Sequence, residues 1–168
     1  KPKCLLELNG ETLLSRHLKS WKALGISNVV AVLGPQRSEI ETELLKFRND
    51  LDIKITVNDD PVNLGNTYSL WLGLKACSNS SVVVFDADLA YEQRVVSDFL
   101  TDGDYGRILI GEGKLTDIEC AKALVDKNKM VRMTVDKRAI TKEELERYDF
   151  DGEAIGALWF SPDQANRL

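Results

Sequence analysis

Residues 82–89 read VVVFDADL, an apolar run that ends in two carboxylates, Asp86 and Asp88. Consecutive valines followed by phenylalanine are typical of a strand that is buried on both faces. In an open parallel sheet, the carboxyl ends of the strands form the ligand crevice. Carboxylates at that edge are hard oxygen ligands for Mg²⁺, which usually binds together with substrate phosphates. Aspartates are also common in turns, so this segment alone favours a metal site and a plain turn about equally.

The composition predicts one well-packed domain. The chain has 168 residues, of which 43% are hydrophobic and 29% charged, and its formal net charge is −5. This charge argues against a nucleic-acid surface, which needs clustered Lys and Arg. It permits binding of a nucleotide, whose negative charge one lysine and a metal ion could neutralise. No apolar run approaches the roughly 18 residues of a membrane span. The widely separated Cys4, Cys77 and Cys120 predict reduced thiols in a cytoplasmic protein.

Strand and helix patterns alternate along the chain, which predicts a layered α/β domain. Residues 28–33 and 53–57 indicate strands, and apolar residues recur at helical spacing from Leu13 to Leu24, with Gly25 in the position of a C-terminal cap. Ser38 and Glu41 have the spacing of a capping box. A loop over residues 58–65 is expected before a helix that runs from about residue 67 to 76.

The last third of the chain has a different pattern. Residues 123–126 and 130–135 flank Asn128 and its neighbours, which predicts a β-hairpin rather than another βαβ unit. Thr141 and Glu144 form a second capping-box pattern, and residues 154–160 indicate a strand.

Three features have both a chemical and a structural interpretation. Lys3 precedes an apolar run and could contact phosphate at the mouth of a sheet, although a surface lysine is the commoner case. The loop over residues 63–67 combines a glycine, two amides and a hydroxyl, which suits a phosphate or base site and a turn with an N-cap equally. The only histidine is His17, so a Ser-His or Cys-His nucleophilic mechanism finds no support.

Four segments, in this order, resemble the nucleotidyltransferases of the nucleotide-diphospho-sugar transferase superfamily. They are KPKCLLELNGETLL (1–14), the Leu-Gly-Ile segment and its strand (21–34), NDDPVNLGNTYSL (58–70) and the carboxylate segment (82–91). The Asn-x-Tyr-Ser-Leu ending of the third segment is most similar to cytidylyltransferases that act on phosphocholine or 2-aminoethylphosphonate. The resemblance implies an α/β fold, a Rossmann-like three-layer sandwich with a mixed, mainly parallel central sheet, built by residues 1–168 as a single nucleotidyltransferase domain.

The resemblance also implies roles for particular residues. Lys3 would contact the phosphates, and Asp88 would ligate Mg²⁺ as the cofactor, assisted by Asp86. The residues expected to bind the nucleotide are Gly65, Asn66, Thr67, Ser69 and Asp86. On the acceptor side, the resemblance points to Gly156, and Glu119 is assigned to the acceptor's head group.

The implied activity is a Mg²⁺-dependent transfer of a nucleoside monophosphate, CMP from CTP, onto a small phosphate or phosphonate acceptor such as phosphocholine or 2-aminoethylphosphonate, with release of pyrophosphate. Such a reaction is catalysed mainly by positioning the phosphates and stabilising their charge. The sequence offers no credible general base or nucleophile, which agrees with this kind of catalysis. Two alternatives stay open: a sugar-1-phosphate acceptor, and a non-catalytic nucleotide-binding module. No nucleic acid or membrane partner is expected, and a homodimer is the assembly considered.

Recognition of a quaternary ammonium would need an aromatic or acidic pocket. The candidates for it are Tyr68, Trp71, Trp159 and Glu119.

The resemblance places two further segments outside residues 1–168. A Gly-x-Gly-x-Arg loop around the triphosphate would precede Lys1, and a second Mg²⁺ ligand would follow Leu168. We therefore expect the complete protein to be an enzyme, and residues 1–168 alone to be weakly active or inactive.

Overall fold

A computed structural model describes residues 1–77, 80–100 and 105–167 of the protein. The chain divides into two compact units, Lys1–Gly106 with Trp159–Leu168, and Arg107–Leu158. The first unit contains both aspartates of the opening segment, and the second contains the predicted hairpin. The expectation that residues 1–168 act as a single domain stays a prediction.

The elements follow one another along the chain as predicted from the alternating pattern. After a short 3-10 helix at Lys3–Leu5, they are β1 (Glu7–Leu8), β2 (Glu11–Thr12), α1 (Leu13–Ala23), β3 (Asn28–Leu33), α2 (Ser38–Leu45), β4 (Asp52–Val57), α3 (Pro61–Ala76), β5 (Val82–Phe85), α4 (Gln93–Phe99), β6 (Arg107–Gly111), β7 (Lys122–Val125), β8 (Val131–Val135), α5 (Lys142–Arg147), β9 (Asp149–Phe160) and α6 (Pro162–Arg167). Among the described residues, no helix is both long and apolar enough to cross a membrane.

The core of the first unit is built around a parallel strand pair. β3 and β4 pair from Asn28 opposite Asp52 to Leu33 opposite Val57. Leu18 of α1 and Leu44 of α2 are almost fully buried in the same cluster as Val29. Each such buried aliphatic side chain contributes about 1.5–3 kcal/mol to folding. This parallel β3–α2–β4 unit positions the loop that follows β4.

Local turn chemistry sets both ends of α1. Asn9 and Gly10 have positive φ, as a two-residue hairpin turn requires, and they join β1 to β2. The Thr12 side chain then accepts a hydrogen bond from the Ser15 N–H as the N-cap. Gly25, with φ +80, ends the helix in the left-handed conformation. The predicted cap at Gly25 is confirmed.

Helix α2 begins at Ser38 as predicted but without the predicted cap, and a helical turn precedes the predicted start of α3. No capping box opens α2, because the Glu41 carboxylate pairs with the Arg37 guanidinium at 2.8 Å and Arg37 occupies the N-cap position. The predicted loop over residues 58–65 contains the first turn of α3, because Asp60 caps it and Pro61 starts it. Proline at the first helical position lacks only an N–H that would be unpaired there, so a helical turn forms where a loop is predicted.

The second unit contains two antiparallel strand pairs, β7 with β8 and β7 with β9. β6 also pairs with β9. The β7–β8 pair is the predicted hairpin, and its turn is held by the Asp126 carboxylate, which accepts from the N–H groups of Asn128 and Met130. The Thr141 capping box is also confirmed. Parallel pairing in the first unit and antiparallel pairing here confirm an α/β fold with mixed strand orientation.

Glu43 of α2 is a nearly buried carboxylate that joins α2 to the start of α1. It accepts hydrogen bonds from the hydroxyls of Thr12 and Ser15 and from Lys46. We expect Glu43→Ala to lower the free energy of unfolding by about 1–3 kcal/mol, because it removes the acceptor of the buried Ser15 hydroxyl. Urea unfolding measures this loss, and Glu39→Gln, an exposed change on the same helix, is the control.

The same contacts give unfolding a pH dependence. Burial alone would raise the pKa of Glu43, but the hydrogen bonds from Lys46, Ser15 and Thr12 lower it below its ordinary value of 4.5. A carboxyl with a lowered folded-state pKa adds stability above its unfolded pKa and loses it as the pH falls through the folded value. Below pH 4.5, the stability of the wild type should therefore fall more steeply than that of Glu43→Gln.

Candidate functional site

The two aspartates follow β5, as the sequence predicts. β5 ends at Phe85, and the Leu89 N–H donates to the Asp86 carbonyl at 3.3 Å, which turns the chain just after the strand. Both aspartates reach solvent. Partial burial of its carboxyl and the negative charge of Asp88 raise the pKa of Asp86. A cation placed beside the pair would relieve this repulsion.

Lys3 lies beside the same carboxylates. The Lys3 Nζ is 3.5 Å from the Asp88 Oδ2, with 81% of the lysine side chain and 39% of the aspartate side chain exposed. Cys4 and Leu5 are buried and fix the 3-10 helix that carries Lys3. An exposed ion pair adds little stability, about 0–1 kcal/mol. The ion pair therefore contributes little to the fold. Its ammonium group and the carboxylates of Asp86 and Asp88 are accessible to a ligand.

The donor set fits Mg²⁺ bound together with phosphate. Mg²⁺ keeps several waters and takes only one or two protein carboxylates, with substrate phosphates as further ligands. Asp86 and Asp88 supply that number. Within residues 1–77, 80–100 and 105–167, no group of three or more His, Cys, Asp or Glu side chains is arranged to hold a metal. The described residues thus suit an ion that arrives with a nucleotide, and Asp88 as its ligand stays a prediction.

The predicted nucleotide loop contains a break in α3 at Gly65. Its φ of 67° and ψ of −172° lie in a region that is essentially restricted to glycine. A Cβ built at Gly65 would meet no atom within 4 Å, so crowding does not explain why glycine is needed there. The backbone conformation itself requires the glycine. The break divides α3 into a first turn and a longer helix that begins near Asn66.

Asn58 holds this break in place. Its side chain is buried, with 1% of the residue exposed, and its Nδ2 donates to the Ser69 Oγ at 3.0 Å and to the Gly65 carbonyl at 3.5 Å. Its Oδ1 accepts from the Asp60 N–H at 3.1 Å. Asn58 follows the last residue of β4, so it connects the strand end to both parts of α3. This positioning role is not among the sequence-based predictions, and the signal that indicates it is an amide directly after a strand.

The structure brings the predicted residues together in two groups. Lys3 and Asp88 are paired, and Asp86 is electrostatically coupled to Asp88. Gly65 and Ser69 are linked through Asn58, while Asn66 and Thr67 are exposed between them. Their roles in binding a nucleotide stay predictions.

The aromatic candidates for a head-group pocket differ in accessibility. Tyr68 and Trp71 stack on α3 with ring centroids 5.4 Å apart, and Trp71 is 39% exposed. The Lys75 Nζ lies 5.8 Å from the centre of the Trp71 ring. Trp159 is 4% exposed, so it is a core residue and cannot offer a ring face to a ligand.

The residues assigned to the acceptor lie in the second unit. The Glu119 side chain is exposed, and its backbone N–H donates to the Asp117 carboxylate at 2.9 Å. Gly156 lies within β9 and has a φ of 70°, a conformation that favours glycine. Their contact with an acceptor stays a prediction.

Comparison with known proteins adds one curated relative and a set of solved structures. The chain is 30% identical over 88 residues to a protein of Acanthamoeba polyphaga mimivirus named "Probable UDP-N-acetylglucosamine pyrophosphorylase", a match that covers 52% of this chain and 34% of the relative. The inositol-1-phosphate CTP transferase of T. maritima superposes with a TM-score of 0.73 at 15% identity, over 99% of this chain and 64% of that one. The CTP:phosphocholine cytidylyltransferase of Streptococcus pneumoniae gives 0.60 at 15% identity, over the same shares of 99% and 64%.

These likenesses to solved structures show the fold. The chain spans about a third of the length of the curated relative and under two thirds of these two structures. The MobA-like NTP transferase domain matches residues 1–110 of the 168, including both aspartates, Lys3 and the Gly65 loop. The predicted resemblance to the nucleotide-diphospho-sugar transferase superfamily is confirmed. The chain belongs to the MobA-like NTP transferase family.

Proposed function

We propose that the protein is a nucleotidyltransferase that moves CMP from CTP onto a small phosphate or phosphonate acceptor and releases pyrophosphate, with Mg²⁺ as its cofactor. One observation carries the proposal. The Lys3 Nζ and the Asp88 Oδ2, on the residues to which the family resemblance gives phosphate and metal binding, lie 3.5 Å apart. A cation and a carboxylate this close together support a site at which phosphates and a metal ion would bind side by side.

The reaction needs little covalent chemistry from the protein. An oxygen of the acceptor's phosphate attacks the α-phosphorus of the nucleotide, a new P–O bond forms, and the bond to the β-phosphate breaks as its electron pair leaves with pyrophosphate. An acceptor phosphate is largely ionised at neutral pH, so no general base is required. Mg²⁺ would offset negative charge on the phosphates. Lys3 adds a positive charge, and Asp86 and Asp88 would hold the ion in place.

The choice of CTP rests on two supports. The segment Asn66-Thr-Tyr-Ser-Leu70 resembles the cytidylyltransferases, and the two solved structures described above are named as enzymes that use CTP. In the proposed complex, the backbone around Gly65 contacts the nucleoside. Asn58 keeps that backbone in the required conformation through its bond to Ser69.

A sugar-1-phosphate acceptor is the second candidate. The curated relative with 30% identity is named a pyrophosphorylase of a nucleotide sugar, which favours UTP and a sugar phosphate. The chemistry at phosphorus is the same in both cases, so Lys3, Asp86 and Asp88 would keep their roles. The nucleotide and the acceptor distinguish the two candidates.

Pyrophosphate release by the complete protein tests the proposal. The assay contains Mg²⁺ with CTP, UTP, dTTP or GTP, each combined with phosphocholine, 2-aminoethylphosphonate, glucose-1-phosphate or N-acetylglucosamine-1-phosphate. We expect release with CTP and one of the first two acceptors. Release only with UTP and a sugar phosphate would establish the second candidate instead. Nucleotide binding without release in any combination would contradict both and indicate a non-catalytic module.

A further inference from the structure

His17 lies on α1 and is almost fully buried, with 2% of the residue exposed. No step of the proposed reaction uses this histidine. Its ring contacts those of Phe85 and Tyr91, with ring centroids 6.1 and 4.9 Å away. Phe85 directly precedes Asp86 in the chain, and Tyr91 follows Asp88 by three residues. A single side chain of α1 therefore contacts the chain on both sides of the two carboxylates.

Polar contacts also join the His17 ring to the segment that follows Asp88. The Tyr91 hydroxyl lies 2.7 Å from the His17 Nδ1. Burial raises the pKa of Tyr91 to about 12, so the phenol keeps its proton at neutral pH. Burial lowers the pKa of His17, and a hydrogen bond with the Leu89 backbone opposes this effect. His17 thus binds the chain at two positions just after Asp88.

Helix α1 also supports the segment that carries Lys3. The Leu13 N–H, at the start of α1, donates to the Leu6 carbonyl at 2.9 Å. Leu5 belongs to the same buried cluster as the leucines of α1. Both partners of the ion pair between Lys3 and Asp88 are therefore attached to one helix, and His17 provides the attachment on the aspartate side.

We propose that His17, through Tyr91, fixes the turn that carries Asp88 and is therefore a positioning residue for the metal site. The inference rests on the proposed function, because it takes Asp88 as a ligand of Mg²⁺. Mg²⁺ demands near-ideal octahedral geometry, so its affinity depends on how well its carboxylate ligand is held in place. Groups that orient a metal ligand without touching the metal commonly change metal affinity for this reason.

NMR relaxation of the complete protein, without metal or nucleotide, tests whether the contact orders the turn. In the wild type we expect backbone order parameters of about 0.85 for Ala87 and Asp88, as in rigid backbone. Tyr91→Phe keeps the ring and removes the hydroxyl, and it should lower both values to about 0.6 or less. Tyr105→Phe makes the same change at a tyrosine that is 67% exposed, and it should alter neither value. Unchanged order parameters in Tyr91→Phe would overturn the proposal.

Binding of Mn²⁺, used as a probe for Mg²⁺ and followed by the EPR signal of the free ion, tests whether this order affects the metal. We expect Tyr91→Phe to weaken Mn²⁺ binding about fivefold, the effect of one lost hydrogen bond, and Tyr105→Phe to leave it unchanged. Equal affinities in the wild type and Tyr91→Phe would also overturn the proposal.

A pair of variants at His17 separates positioning from packing. His17→Asn places an amide group where Nδ1 lies and can still bind the Tyr91 hydroxyl, whereas His17→Leu has no hydrogen-bonding group. We expect His17→Asn to bind Mn²⁺ more tightly than His17→Leu, with urea unfolding to confirm that both are folded under the assay conditions. Equal weakening in the two variants would mean that His17 acts through packing alone.

The proposed function can fail separately. Absence of Mn²⁺ binding in the wild type, or binding that Asp88→Ala leaves unchanged, would contradict the proposed metal site and this inference with it. Pyrophosphate release by the wild type, together with full Mn²⁺ affinity in Tyr91→Phe, would support the proposed function and overturn only the role of His17.

Discussion

Asp88→Ala is expected to lower pyrophosphate release by the complete protein by at least about 100-fold, because removal of one group that stabilises the charged transition state has effects of this size. Asp88 pairs with Lys3 at the surface, and such exposed pairs add little stability, so the variant should fold normally. Initial rates at saturating CTP and Mg²⁺ measure the loss, and the unfolding midpoint confirms that the fold is intact.

Two matched changes separate metal binding from general charge effects. Asp88→Asn keeps the size of the side chain and should lose nearly as much activity as Asp88→Ala. Asp52→Asn removes one exposed carboxylate from β4 and should leave the rate unchanged. If Asp88→Ala retains more than about a tenth of the wild-type rate, a loss below about 1.4 kcal/mol, Asp88 is not the essential metal ligand.

Gly65→Ala is the second large effect that we expect. The φ of 67° and ψ of −172° are strained for alanine by about 1–3 kcal/mol. Because the new Cβ would meet no atom within 4 Å, the loss comes from the backbone conformation and not from a clash. We expect the loop to leave its present conformation and the affinity for CTP to fall about tenfold or more. Isothermal titration calorimetry measures this affinity.

Gly10→Ala is the control for backbone strain. Gly10 has a φ of +79° and open space around its Cβ position, but it lies in the β1–β2 turn and not in the nucleotide loop. It should lose stability while keeping its affinity for CTP. Equal losses of affinity in the two variants would mean that Gly65 acts only through stability and does not position a nucleotide.

Local patterns predicted most of the secondary structure. Residues 28–33 form β3 because their apolar side chains suit a buried strand, and Gly25 ends α1 because it alone adopts the cap conformation without strain. At α2 the predicted helix forms from Ser38, but the predicted capping box does not. Ser38 and Glu41 have the capping-box spacing, but Arg37 offers the Glu41 carboxylate a stronger, charged partner. A rule based on residue spacing does not include the other groups that compete for the same hydrogen bond.

The site was predicted less completely because its geometry depends on distant contacts. The sequence suggests Lys3 and Asp88 separately, and only the folded chain shows that they form a pair. Asn58 was missed because its role depends on a hydrogen bond to Ser69, one helix turn beyond the break at Gly65. The burial of His17 against Phe85 and Tyr91 likewise follows from tertiary packing and not from its helical position.

A ³¹P NMR time course of the complete protein with Mg²⁺, CTP and phosphocholine tests directly whether Lys3 and Asp88 belong to a nucleotidyltransferase site. If Lys3 binds phosphate and Asp88 binds the metal ion of a nucleotidyltransferase, pyrophosphate and a new diphosphate-linked product will appear in equal amounts. Neither will form with the Asp88→Ala variant. The CTP signals could instead only broaden, with neither product formed from phosphocholine, 2-aminoethylphosphonate or a sugar-1-phosphate. The protein would then bind a nucleotide without catalysis, and the proposed nucleotidyltransferase activity would be contradicted.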